Sequence, residues 1–417
     1  MKLSAFGEKF AAETGIVSLM DDLSSALSEN PDMLFLGGGN PARIPEMEAA
    51  FQEKMQALSA DSDLLSGLLG IYQSPKGERQ FRKALAELLS ANFGWELTEQ
   101  NIAVSNGSQA AFFILFNMLA GKTSDGEIRS IHLPMAPEYI GYSDIGLSEG
   151  FFTATRPEIE HLGDHMFKYR VDFSNLNLDN AAALCVSRPT NPTGNVLTDN
   201  EIAQLDTIAK ERGIPFIIDG AYGLPFPSIL FNDAKPHWND NTILVLSLSK
   251  LGLPGVRTGI IVANEETIQA YSNASVVANL ACCNLGPSMA LDWIKSGEIL
   301  SMSKEHIAPF YGNRAELAVR LFKDNLGDLP FYIHKPEGAI FLWLWFDKLP
   351  ISSQTLYERL KSRGVLIIPG QNFFPGIESG WRHTQECIRV SYAQDEAVLQ
   401  DGIAIIAEEV RRAYETA

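Results

Sequence analysis

Cysteine is scarce in this 417-residue chain: four residues, Cys185, Cys282, Cys283 and Cys387. None forms a CxxC pair, and the adjacent Cys282 and Cys283 are poorly placed to bridge each other. That excludes a disulfide scaffold and predicts small buried hydrophobes in a reducing compartment. Histidine is equally thin, seven residues scattered without HExxH or clustered ligand spacing. The sequence therefore predicts no metal site. Positive charge is outnumbered, 33 Lys and Arg against 51 Asp and Glu, for a net charge of −18. A surface of that sign repels nucleic acid and anionic membranes, so neither is an expected partner, although a local basic pocket for a phosphate stays open. No apolar run approaches the roughly 20 residues of a membrane helix. Residues 1–9 show neither the apolar stretch nor the cleavage site of a leader, and the expectation is a cytoplasmic protein.

What is present reads as a soluble globular chain, with 46% hydrophobic and 20% charged residues. Its length predicts roughly two or three domains. Short apolar, β-branched runs at 102–104, 131–133, 182–186, 215–218, 243–246 and 259–262 read as strands. Helical patterns at 109–120 and 201–212 lie between them. Such alternation predicts an α/β fold, with a mainly parallel sheet covered on both faces. Downstream the pattern changes to strands at 331–346 (interrupted at 336–338), 365–368 and 387–391, then an amphipathic helix at 399–414. The reading is a large α/β domain over 49–295 and a smaller α+β domain from 1–48 and 296–417.

Polar residues at strand ends carry the chemistry, because open α/β sheets bind ligands there. Lys250 follows the run 242–246, flanked by Ser247 and Ser249, with Arg257 beyond a tight turn. An amine so placed suits a Schiff base to pyridoxal phosphate (PLP), with the hydroxyls and Arg257 on the phosphate. Asp219 ends another run, where a buried carboxylate needs a pair; a protonated pyridine nitrogen would supply it. Tyr222 and Asn191 could reach the cofactor's phenolic oxygen, and Tyr139 could stack on its ring. Gly107, Ser108 and Gln109 form a strand–turn–helix junction, which is an anion seat, or simply a helix cap. Arg389, inside the apolar run 387–391, needs either a substrate carboxylate or an intraprotein acid. Ile340, Phe341 and Phe373 read equally as a small apolar substrate pocket or as core.

In this order the residues resemble the fold-type I PLP-dependent aminotransferases, from about residue 30 to 395. The set is Gly107-Ser108-Gln109, Tyr139, Asn191-Pro192-Thr193-Gly194, Asp219 with Tyr222, Ser247 with Lys250, Arg257 and Arg389. The spacing from Lys250 to Arg257 is one residue shorter than the commonest family form. Longer segments, among them "APEYIGY", "VSRPTNPTGNV", "SLSKLGLPGVRTGI" and "PGQNFFPG", resemble the branch of the family that works on valine and pyruvate.

The resemblance implies a seven-stranded, mainly parallel sheet in the large domain. It also implies catalytic roles for Lys250, Asp219 and Tyr222, and cofactor contacts from Gly107, Ser108, Gln109, Tyr139, Asn191, Ser247 and Arg257. Gly39, Asn191 and Arg389 would hold the substrate carboxylate. Tyr72 would reach the phosphate of a neighbouring subunit, making the active unit a homodimer. The implied reaction is reversible transamination between a small aliphatic amino acid and a 2-oxo acid. Broader aromatic or 2-aminoadipate specificity, a PLP lyase, and a non-catalytic PLP-binding sensor are the alternatives.

Overall fold

In the computed structural model, which describes residues 1–12 and 15–416, the apolar runs form strands with every residue buried: Ile102–Ser105, Phe216–Asp219, Thr242–Ser247 and Gly259–Val262. Continuous burial fits strands covered on both faces by helices. They belong to an eight-stranded sheet in the order Ile102–Ser105, Gly259–Val262, Thr242–Ser247, Phe216–Asp219, Ala181–Ser187, Ile128–Leu133 and Gly121–Lys122, with Phe152–Ala154 also on Ile128–Leu133. Only Gly259–Val262 and Gly121–Lys122 run against their neighbours. The count exceeds the expected seven; the two-residue edge strand is too short to leave a pattern.

Helices form where local signals place them, and Asp199–Arg212 bridges the parallel strands Ala181–Ser187 and Phe216–Asp219. Asp199–Arg212 starts with a capping box between Thr198 and Glu201 and stops at Gly213, which takes a left-handed φ of 65°. Glu396–Glu415 buries Leu399, Ile403, Ile406, Val410 and Ala413, a helical stripe on one face.

A second, six-stranded sheet runs Ile368–Pro369, Cys387–Ser391, Phe341–Phe346, Phe331–His334, Met166–Arg170 and Glu158–Gly163. The last two fall inside the span read as the large domain, yet Ile333 pairs with Met166 and His334 with Phe167. Glu158–Gly163 is polar and mostly exposed, so it carries no core-strand signal. The N-terminal stretch is tied to this half as well. Leu34–Phe35 pairs in parallel with Val365–Leu366, and the Ser391 N–H donates to Leu36 O at 2.7 Å. That pairing delivers the glycine loop 37–39 to the carboxyl ends of the large sheet. Of the cysteines, Cys185, Cys282 and Cys387 are buried as expected, whereas Cys283 is exposed in the connection between two helices. Among the described residues no helix is long and apolar enough to cross a membrane.

Candidate active site

The carboxyl ends of four strands, with the amino end of the antiparallel Gly259–Val262 between two of them, sit in register. Ser187 pairs with Asp219, Val245 with Asp219, Ser247 with Gly259, and Gly259 with Ser105. A cleft of about 380 Å³ opens above them. Strand Thr242–Ser247 runs into a single 3₁₀ turn, Ser249–Leu251, closed by Gly252 at φ 119°. That tight exit aims Lys250 into the cleft, where Nζ donates to the Gly39 carbonyl at 2.5 Å and stands 5.2 Å from the Tyr222 ring centroid. Burial, then the positive charges of Arg389 and Arg257, lower the amine's pKa to about 8, and Asp219 opposes them. An amine so poised is nucleophilic near neutral pH.

Asp219 faces the same cleft. Its Oδ2 accepts from the Tyr142 hydroxyl at 2.7 Å and its Oδ1 from the Ala221 N–H at 2.9 Å. Burial raises its pKa; the Tyr142 and Ala221 hydrogen bonds and the Lys250 charge only partly offset this. A buried acid short of positive charge is suited to a protonated ring nitrogen. Tyr222 is buried beside it, with its hydroxyl pKa pushed up by burial. Tyr139 lines the cleft as well. Gly141 leaves room for that ring, since a Cβ there would come within 2.3 Å of it.

The anion seat is built by backbone conformation. Gly107 has φ 90° and caps helix Ser108–Leu119, so the first-turn N–H groups point outward. Arg257, itself at φ 45°, lays its guanidinium so close that a Cβ on Gly107 would be 2.2 Å from Nη2. Ser108, Gln109, Ser247 and Arg257 line the cleft. A glycine-only approach, helix N–H groups and a guanidinium fit the phosphate of PLP. Gly107 is thus part of the cradle without lining the cleft.

Arg389 is 5% exposed. Nη1 donates to Asn191 Oδ1 and Nη2 to the Gly37 carbonyl, both at 2.8 Å, while Nε has no partner. The ion pairs of the buried cations Lys168 and Arg188 lie elsewhere, with Glu337 and Asp199. Burial lowers the Arg389 pKa to about 10, so it stays charged at neutral pH. Among the described residues no carboxylate of the protein is within hydrogen-bonding reach of Arg389. Phe341 and Phe373 lie 4.0 and 5.1 Å from the guanidinium and are fully buried with Ile340. They pack the arginine rather than line the cleft, whose apolar wall includes Met20, Leu23 and Phe35.

Tyr72 is not brought into the site: it is 82% exposed beyond the helix Ser62–Gly70. Two residues went unread in the sequence. Tyr142 gave no signal of its own. Glu138 is an acid in an otherwise apolar stretch, and that was a readable anomaly. Its carboxyl is fully buried, accepts from the Ser187 N–H at 2.8 Å and meets the Ser187 hydroxyl, and burial pushes its pKa up to about 8. The Glu138 N–H also donates to the Phe373 carbonyl at 2.8 Å, which links the two halves of the site wall.

The family profile described as aminotransferase class I and II matches residues 32–406. The valine–pyruvate aminotransferase of Escherichia coli is 48% identical over 415 residues, 99% of either chain. The crystal structure of valine–pyruvate aminotransferase from Salmonella typhimurium LT2 superposes with a TM-score of 0.89 at 46% identity, over 97% of this chain and all of that one. A solved structure from Psychrobacter arcticum 273-4 superposes with a TM-score of 0.97 at 49% identity, covering 100% of both chains.

Proposed function

This chain belongs to the class I and II aminotransferases, and we propose that it reversibly exchanges an amino group between L-valine and pyruvate, forming 3-methyl-2-oxobutanoate and L-alanine. Its fold is PLP fold type I, and its cofactor is PLP. The observation that carries the reaction class is a single cleft lined by Lys250, Asp219 and Arg389. PLP, when bound, supplies an aldehyde that carries the amino group and a ring that draws electrons from the substrate Cα.

The protein's part is binding, orientation and proton movement. Lys250 Nζ would anchor the cofactor, and as a free amine it would take the proton from the substrate Cα. Asp219 would hold positive charge on the ring nitrogen, while Asn191 and Tyr222 would address the phenolic oxygen and Tyr139 would cover the ring face. Gly107, Ser108, Gln109, Ser247 and Arg257 hold the phosphate. Arg389 binds the substrate carboxylate, with Asn191 and the Gly39 backbone beside it. The active unit is a homodimer, in which Tyr72 reaches the neighbour's phosphate; its exposure, with Leu69 and Ile71 at the same tip, supports this. The free thiols fit a cytoplasmic location.

Two observations support a small aliphatic substrate. Among the described residues of this chain, three basic ones line the cleft, Lys250, Arg257 and Arg389, and each already has a task. A second carboxylate on the substrate would find no further cation among the described residues of this chain. Where the wall is apolar, Met20, Leu23 and Phe35 offer contact to a branched side chain. Such contacts separate neighbouring aliphatic substrates by only about 1–3 kcal/mol, so valine will share the site with close homologues.

The test is a coupled assay of the PLP-loaded protein with pyruvate and a panel of amino donors. Valine is expected to give equal amounts of 3-methyl-2-oxobutanoate and alanine with ping-pong kinetics, and Lys250→Ala to lose turnover and the visible absorption band. Turnover of aromatic or acidic donors alone would reject the substrate assignment. Ammonia release without alanine would make the enzyme a lyase.

A further inference from the structure

Asp219 is oriented from behind by a residue that lies outside the cleft. We propose that Tyr142 is a positioning residue whose hydroxyl holds the Asp219 carboxylate in its ionised form and in the orientation that faces the cofactor ring. The inference rests on the PLP reading above and extends it to a residue with no place in that reading.

The argument begins with what surrounds the tyrosine. Its ring is fully buried in an aromatic box, 5.3 Å from Phe112, 5.2 Å from Phe116, 5.4 Å from Tyr139 and 6.2 Å from Phe152. Three of these contacts are edge-to-face and the Phe152 contact is stacked, so rotation of the ring is blocked. Phenylalanine would fill the box equally well. A buried hydroxyl costs free energy unless it is hydrogen-bonded. Here it is bonded: the phenol donates to Asp219 Oδ2 at 2.7 Å, across 77 positions of sequence. With the Ala221 N–H on Oδ1, each carboxylate oxygen receives one donor from the protein side. The carboxylate plane is thereby fixed.

The direction of the effect follows from charge. A donor to a carboxylate favours its ionised form and opposes the burial that would neutralise it. Burial also drives the phenol's own pKa well above its ordinary value, so the hydroxyl remains a donor. The segment bearing Tyr142 is tied to the phosphate end as well, because Gln109 Nε2 donates to the Gly141 carbonyl at 3.0 Å. Ring face, ring nitrogen and phosphate seat are thus served by one short stretch, Tyr139 to Tyr142.

Tyr142→Phe removes one hydroxyl without opening a cavity. Loss of a hydrogen bond to a charged group predicts a single-turnover rate with L-valine roughly 10- to 100-fold lower. Uptake of PLP by the apo protein, followed by tryptophan fluorescence, should weaken in the same direction. The decisive measurement is a double-mutant cycle with Asp219→Asn, read in PLP affinity as well as in rate. If Tyr142 acts through Asp219, adding Tyr142→Phe to Asp219→Asn changes either quantity by less than about twofold. Equal losses in both backgrounds would overturn the proposal, as would wild-type rate and affinity in the single variant. A wild-type protein that takes up no PLP would sink the reading beneath it too, and this shows before any variant is made.

Discussion

Lys250 and Asp219 sit in one cleft, and burial moves their pKa values in opposite directions, each toward the neutral form. For the lysine this creates a functional window. Below about pH 8 most of the amine is protonated and only the neutral fraction attacks an aldehyde; above it the free amine prevails. Uptake of PLP by the apo protein should therefore accelerate by roughly tenfold between pH 7 and 9 and level off beyond, in stopped-flow absorbance. Arg389, at about 10, stays charged across that window, so the substrate carboxylate site should not share the inflection. The stability sign is the reverse of the usual salt-bridged lysine. With the folded pKa near 8 against 10.5 in its ordinary state, the unfolded chain binds more protons in between. The burial cost is full below the folded value and is relieved as pH rises through this interval, so the apo protein should gain stability there. At this scale the sequence was legible where a polar residue interrupts or ends an apolar run, as at Asp219, Lys250 and Arg389. It was silent on Tyr142, since one tyrosine among aromatic neighbours carries no mark of the acid it reaches.

Among the elements, turns decide more than strands do. The phosphate cradle requires a residue at φ 90° with no side chain, because Arg257 occupies the space a Cβ would need. Gly107→Ala should displace the guanidinium and strain the helix start. PLP affinity is expected to fall by about tenfold or more, with a lowered melting temperature, in fluorescence titration and thermal scans. An unchanged affinity would show that this cradle does not bind the phosphate. The buried parallel strands were readable because burial on both faces demands unbroken apolar runs, as in Thr242–Ser247. Glu158–Gly163 was not, because an exposed edge strand needs no such run, and Met166–Arg170 was not, because its place is set by pairing with the distant Phe331–His334.

For the whole molecule, the outer surface poses the question of a partner copy. Leu69, Ile71 and Tyr72 are 78%, 66% and 82% exposed, side by side at the end of one helix. Clustered apolar exposure of this kind marks an interaction surface. Sedimentation should give twice the 45.9 kDa chain mass. Ile71→Asp should shift it toward the monomer, while Tyr72→Phe should remain dimeric and bind PLP more weakly. A wild-type monomer with full activity would remove Tyr72 from the site. The sequence by itself determined the α/β class, the chemical types in the site and the strand ends that carry them, because burial and backbone conformation restrict which residues a run or a turn accepts. Tertiary structure alone decided that Phe341 and Phe373 pack an arginine and that Met20 and Leu23 reach the cleft. It alone set the Tyr142 hydroxyl on Asp219. Those pairings depend on how distant segments stack, and hydrophobic packing, being non-directional, leaves no record of its partners along the chain.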